Sequence, residues 1–197
     1  MAEENLSRRR IIISVAIVPV AAIRAAVQAP STALSAAQLR TLDAFVDRLI
    51  PKDENGPGAS ECGAANYIDR SLADYLAPEK PVFLENLAAL DAWSRAKHDA
   101  AFADLSPEKR DEVVTTIENG TATVFKPNAR AFFARIRLLT LEGTFGDPYY
   151  GGNEGFAGWD LIGYPGPRLA VSEDDQRMKI SIKPSHVSSW GGVRNGH

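Results

Sequence analysis

The sequence predicts an all-α domain, and three observations carry that reading. Apolar residues recur at the three-and-four spacing of a helix face in segment after segment, no stretch alternates convincingly at period two, and the connections are short and rich in Gly, Pro, Asn and Asp. About five helices are expected within residues 30–171, a domain that closes on a Gly- and aromatic-rich irregular segment.

The first helix lies in "SAAQLRTLDAFVDRLIP". Ser35 is a good cap for the free N–H groups of a first turn, and Leu39, Leu42, Phe45, Val46, Leu49 and Ile50 fall on one stripe. Pro51 ends it, and "PKDENGPGASECG" is a loop of turn formers. "AANYIDRSLADYLAP" reads as the second helix, with Ile68, Leu72, Tyr75 and Leu76 inward. The third covers residues 81–101 and buries Phe83, Leu84, Leu87, Leu90 and Trp93. In "LSPEKRDEVVTTIENG", Ser106 caps, Pro107 takes the first helical position, Glu108 sits at the positive end and Gly120 follows the last turn. The fifth helix opens near Asn128, buries Phe132, Phe133, Ile136, Leu139 and Thr140, and stops at Gly143. Residues 172–197 form a polar, Gly-containing tail that lies along the surface or is loose; "MKISIK" within it is a single short strand with nothing evident to pair with.

Residues 1–29 have the organisation of an export signal. A basic start is followed by an apolar run from Ile11 to Ile23, suited to a signal core and short of the roughly twenty residues that span a bilayer. Ser7-Arg8-Arg9-Arg10-Ile11-Ile12 fits the twin-arginine pattern, the alternative being an ordinary secretory signal with three arginines. Val27-Gln28-Ala29 offers small residues to a peptidase, with Pro30 a poor neighbour just beyond. The twin-arginine route exports proteins already folded. Its removal, with four arginines and two glutamates, would take the net charge from −3 to −5.

That mild acidity, with no basic stripe beyond the N-terminus, sets nucleic-acid binding aside. Cys62 is the single cysteine; it reads as a small semi-buried residue and makes no internal disulfide or self-contained iron–sulfur cluster. There is no Cys-x-x-Cys-His for covalent haem. His98, His186 and His197 lack ligand spacing, and His98 is expected in solvent near a helix end. "DENGPG" misplaces the glycine and glutamate of a calcium loop, and "YYGGNEGFAG" follows a helix where a dinucleotide fingerprint needs a strand. Glu142 and Asp147 flank the Gly143 turn as carboxylates of the capping kind. No metal, cofactor or catalytic site is expected in this chain.

The densest stretch is "DPYYGGNEGFAGWDLIGYPGP", residues 147–167. Its rings can plug the domain's own core, meet a partner on an irregular Gly-set loop, or, through Trp159 with Asn153, Glu154 and Asp160, stack on a sugar. Trp159 and Tyr164 are the two expected at a partner surface.

Thr140-Leu141-Glu142-Gly143, Asp147-Pro148-x-Tyr150-Gly151-Gly152-Asn153, Gly158-Trp159 and Ile162-Gly163-Tyr164-Pro165-Gly166 together resemble the end of the gluconate 2-dehydrogenase subunit 3 family, the small subunit of a membrane-bound flavoprotein dehydrogenase. "IPKDENGPGASECGAANYID", residues 50–69, is similar to an earlier part of the same pattern, and the resemblance spans roughly residues 36–168. Phe156 and Ala157 sit in a variable part of it, and the C-terminal tail lies outside it. The resemblance implies a complex of three parts at the periplasmic face of the inner membrane. A large flavoprotein of the glucose-methanol-choline type, carrying FAD, oxidises gluconate or a related sugar or sugar acid. A cytochrome c subunit with haem c takes the electrons. The small subunit holds no cofactor, aids export and assembly, and reaches the membrane only through the complex. Its implied partner-binding residues are Tyr149, Tyr150, Gly151, Gly152, Asn153, Trp159, Gly163, Tyr164, Pro165 and Gly166, and its export signal centres on Ser7, Arg8 and Arg9. A free-standing periplasmic sugar-binding protein is the alternative.

Overall fold

The computed structural model describes residues 32–177 and 182–191. The export signal with Ser7, Arg8 and Arg9 lies outside them, as does most of the expected 178–183 strand. Among the described residues there are six α-helices and no β-strand. No helix among them is long and apolar enough to cross a membrane.

Local chemistry sets most helix starts. Helix α1, Ala36–Leu49, opens on a reciprocal cap: the Ser35 hydroxyl oxygen accepts from the Gln38 N–H, and the Gln38 side-chain oxygen accepts from the Ser35 N–H at 2.9 Å. Helix α2 is Ala64–Ala73 and α3 is Lys80–His98. Helix α4, Pro107–Glu118, is capped by Ser106, and α5, Ala129–Phe145, by Asn128, whose Oδ1 accepts from the Ala131 N–H at 2.9 Å.

Helix α1 runs through the middle, packed against α2, α3, α4 and α5, with the most extensive pairing between α2 and α5. Phe45, Phe83, Phe102, Phe125 and Phe132 form an aromatic centre in which Phe125 and Phe132 stack at 5.0 Å between centroids. Leu42, Ile68, Leu72, Leu90, Ile117, Ile136 and Leu139 complete it without solvent exposure. The buried Asp69 of α2 accepts the N–H groups of Ala33 and Leu34 at 2.8 and 2.7 Å, anchoring the chain just before α1. Arg48 on α1 forks onto Asp111 on α4 at 2.7 and 3.0 Å, a contact that raises the pKa of the guanidinium and lowers that of the carboxyl. Arg48 is half-buried and Asp111 exposed, so water screens the pair and its net contribution is about 1 kcal/mol.

Four expectations need correction. Helix α2 ends at Ala73, and the turn that follows carries Tyr75 outward, where its hydroxyl lies 2.9 Å from that of Tyr67. Helix α5 does not stop at Gly143 but continues to Phe145. Gly143 is needed there because α5 crosses α2 closely: a Cβ would stand 2.9 Å from the Ala64 Cα. His98 is half-buried rather than solvated, at 3.9 Å from Glu112 across the gap between α3 and α4. Finally, the segment expected to be irregular contains a helix of its own, α6, Ala157–Ile162, after short 3-10 turns at Pro148–Tyr150 and Glu154–Phe156.

Candidate partner interface at the end of helix α5

A helix ends with carbonyls that have no intrahelical partner. At α5 the segment after it supplies those partners. The Gly146 N–H donates to the Glu142 carbonyl at 2.8 Å, and the Asn153 N–H donates to the Gly143 carbonyl at 2.7 Å. Trp159 Nε1–H donates to the Phe145 carbonyl at 2.9 Å. The Asn153 Nδ2–H₂ donates to the Gly146 carbonyl at 2.9 Å. The aromatic segment is therefore, first of all, the C-terminal cap of α5.

Asn153 is the hinge pin of this arrangement. Its φ of 45° lies in the left-handed region that Asn tolerates better than most residues. While its amide N–H₂ holds the end of α5, its Oδ1 accepts the Gly158 N–H at 2.8 Å and the Trp159 N–H at 3.3 Å, the free donors that open α6. One buried side chain thus closes one helix and starts another. Gly158 lets α6 come this close, since a Cβ there would fall 1.8 Å from the Thr144 carbonyl oxygen.

Trp159 lies inside the fold, 4% exposed, with Phe156 at 5.3 Å and Tyr164 edge-on at 4.9 Å between centroids. This differs from the expectation that its ring faces a partner. The physical reason is its N–H, which finds the Phe145 carbonyl only when the indole turns inward. Covered on these sides, it offers no open face for a sugar to stack on, and Asn153 is fully buried beside it.

The two motif stretches, far apart in sequence, meet here. The Glu154 N–H donates to the Cys62 carbonyl at 3.0 Å, and Leu161 reaches over Gly56. Arg70 of α2 lies across Gly151. Cys62 is wholly buried, and that burial, with the Glu61 charge second, pushes its thiol pKa up. Tyr67 of α2 donates to Glu142 of α5 at 3.0 Å; burial first, then its contacts with Tyr75 and Glu142, raise the pKa of its hydroxyl.

Residues 182–191 return over the same end. Ser185 donates from its N–H to the Pro165 carbonyl at 3.0 Å, His186 Nε2 lies 2.7 Å from Asp160 Oδ1, and the Ser189 N–H donates to Asp147 Oδ2 at 2.8 Å. Burial would raise the Asp147 carboxyl, but hydrogen bonds from Ser188, Tyr149 and Ser189 outweigh it and hold the pKa below its usual range.

Of the residues singled out in the sequence, Gly152, Asn153, Trp159 and Gly166 are buried, and Tyr149, Gly151 and Pro165 are half-buried. Tyr150, 48% exposed, and Tyr164, 39% exposed, keep much of their rings in solvent, and Gly163 is exposed between Tyr164 and α6. Ile162, exposed at the end of α6, belongs with them and was not among the expected residues. Its signal was faint, because a helix of six residues shows too little periodicity to assign a face. Two grooves, of about 430 Å³ between α3 and α4 and about 390 Å³ among α1, α4 and α5, contain none of the expected partner-binding residues; His98 lines the first, and Thr140 and Leu141 line the second. Among the described residues no three His, Cys, Asp or Glu side chains gather in a way that could hold a metal ion.

Fold and motif end together define a small all-α protein whose most elaborate region is a self-capped helix terminus with an aromatic rim. The chain belongs to the gluconate 2-dehydrogenase subunit 3 family, whose model matches residues 36–166. The match opens on the first residue of α1 and closes on Gly166, so it takes in all six helices and leaves out the returning segment. No curated protein and no solved structure matches the chain.

Proposed function

We propose that this chain is the non-catalytic accessory subunit of a periplasmic, membrane-associated dehydrogenase of gluconate or a related sugar or sugar acid. In this reading a large flavoprotein of the glucose-methanol-choline type holds the FAD, a cytochrome c subunit holds the haem, and the present chain touches the membrane only through them. The observation that carries the proposal is how the motif's polar groups are engaged. Glu142 accepts from Tyr67, Asp147 from Tyr149 and Ser189, and Asn153 bonds three backbone groups, so the motif holds its own end together. Tyr150, Ile162 and Tyr164 are left on its rim as apolar contact area, on a base that docking need not first order.

Such a base suits export in the folded state. A twin-arginine signal on this chain would carry a flavoprotein that has none, provided the two associate before crossing the membrane. Replacing Arg8, Arg9 and Arg10 together by Lys is expected to leave both this chain and the flavoprotein in the cytoplasm, read by fractionation and by flavin content of the periplasm. Normal delivery of the pair would contradict that route.

A further inference from the structure

The returning segment leaves large apolar side chains in solvent, which a segment that merely covers a core would not do. Three contacts hold it to the domain: Ser185 bonds the Pro165 carbonyl, the His186 ring bonds Asp160 and stacks on Phe156 at 5.1 Å with the rings 12° apart, and the Ser189 backbone N–H donates to Asp147. Two of its apolar side chains face away. Val187 is 53% exposed and Trp190 64% exposed, although the burial of either would have stabilised the segment. Three separate anchors along five residues hold it in this orientation. It is thus a fixed part of the end, with a large aromatic ring directed at solvent.

That ring is not isolated. Trp190 lies 5.7 Å from Tyr149, which meets Tyr150 edge-on at 5.4 Å. The three rings form one outer cluster continuous with the rim described above. Exposed aromatic clusters on an ordered base are the usual anchors of protein interfaces, Trp above all. The segment also lies beyond residues 36–166, the part of the chain that the family model matches.

We infer that residues 182–191 extend the docking face, and that Trp190, with Val187, is a specificity-determining anchor for this chain's own large flavoprotein subunit. This rests on the accessory-subunit reading, and it commits to the same partner because the Trp190–Tyr149–Tyr150 cluster is one surface. The face it presents is apolar and aromatic, so the partner must offer an uncharged pocket deep enough for an indole.

The test uses the full-length subunit and its large flavoprotein subunit, with the dissociation constant measured for the wild-type pair, for Trp190→Ala, for Val187→Ser, and for a chain ending at residue 171. Trp190→Ala is expected to weaken association about tenfold or more, and removal of the tail at least as much, with the melting of the free subunit nearly unchanged for Trp190→Ala. Equal affinity for Trp190→Ala and wild type would overturn the inference. So would tighter binding by the shortened chain, which would make the segment a placeholder that the partner displaces. If the wild-type pair itself does not associate, it is the accessory-subunit reading that fails, so the two failures are told apart.

Discussion

Trp159→Ala is expected to unfold the α5–α6 end and to lower the melting midpoint of the isolated subunit by about 10 °C. The indole is buried, and truncating a buried Trp costs about 3–5 kcal/mol. For a chain of this size each kcal/mol moves the midpoint by roughly 2–4 °C. The loss is more than a cavity. The Phe145 carbonyl loses the Nε1–H that satisfied it, and Phe156 and Tyr164 lose the ring between them. Trp159→Phe separates the two contributions, because it restores most of the packing without the donor. Scanning calorimetry or thermal circular dichroism reads the effect. A midpoint within a degree or two of wild type for Trp159→Ala would mean that the ring is not structural.

Asn153→Ala should be of similar size for a different reason. The substitution removes no large apolar volume, yet it leaves the half-buried Gly146 carbonyl and the buried Gly158 N–H without their partner. At about 1–3 kcal/mol for each orphaned group, the total comes to roughly 3 kcal/mol or more. Alanine must also hold a φ of 45°, which costs it about another 1 kcal/mol. Asn153→Gly relieves the backbone but not the hydrogen bonds, so it should fall between wild type and Ala. Hydrogen exchange at the Gly158 and Trp159 amides should speed up in both variants before the rest of the molecule opens. If Gly and Ala prove equally harmless, Asn153 does not join the two helices.

What was legible in the sequence was what local chemistry decides. Ser35, Ser106 and Asn128 announce their helices because a cap acts within three residues, and each caps the helix expected of it. The stripe through Leu42, Phe45 and Val46 is likewise a property of one helix. The misreadings fall where distant parts meet. Gly143 reads as a helix stop because glycine commonly is one, whereas the close crossing on Ala64 that requires it lies on another helix. Trp159 and Tyr164 look alike in sequence, both aromatic beside glycine, and only the free carbonyls of α5 decide that the first turns inward while the second stays at the rim. Val187 and Trp190 pass as part of a polar tail, since nothing in their neighbours reveals that His186 and the backbone of Ser185 and Ser189 would bond the domain. The motif itself was plain to see, but which of its residues build and which remain exposed is a three-dimensional property.

The proposed docking face is the rim of the α5–α6 end, where this chain would meet its flavoprotein subunit. Hydroxyl-radical footprinting of the purified complex against the free subunit tests it most directly, because the aromatic side chains concerned are already exposed and reactive before docking. Tyr150, Ile162, Tyr164 and Trp190 are expected to become protected in the complex while Tyr75, exposed beyond the end of α2, stays as reactive as before. Protection at Tyr75 with no change at Tyr150 and Tyr164 would contradict it, and would place the docking face elsewhere on the molecule.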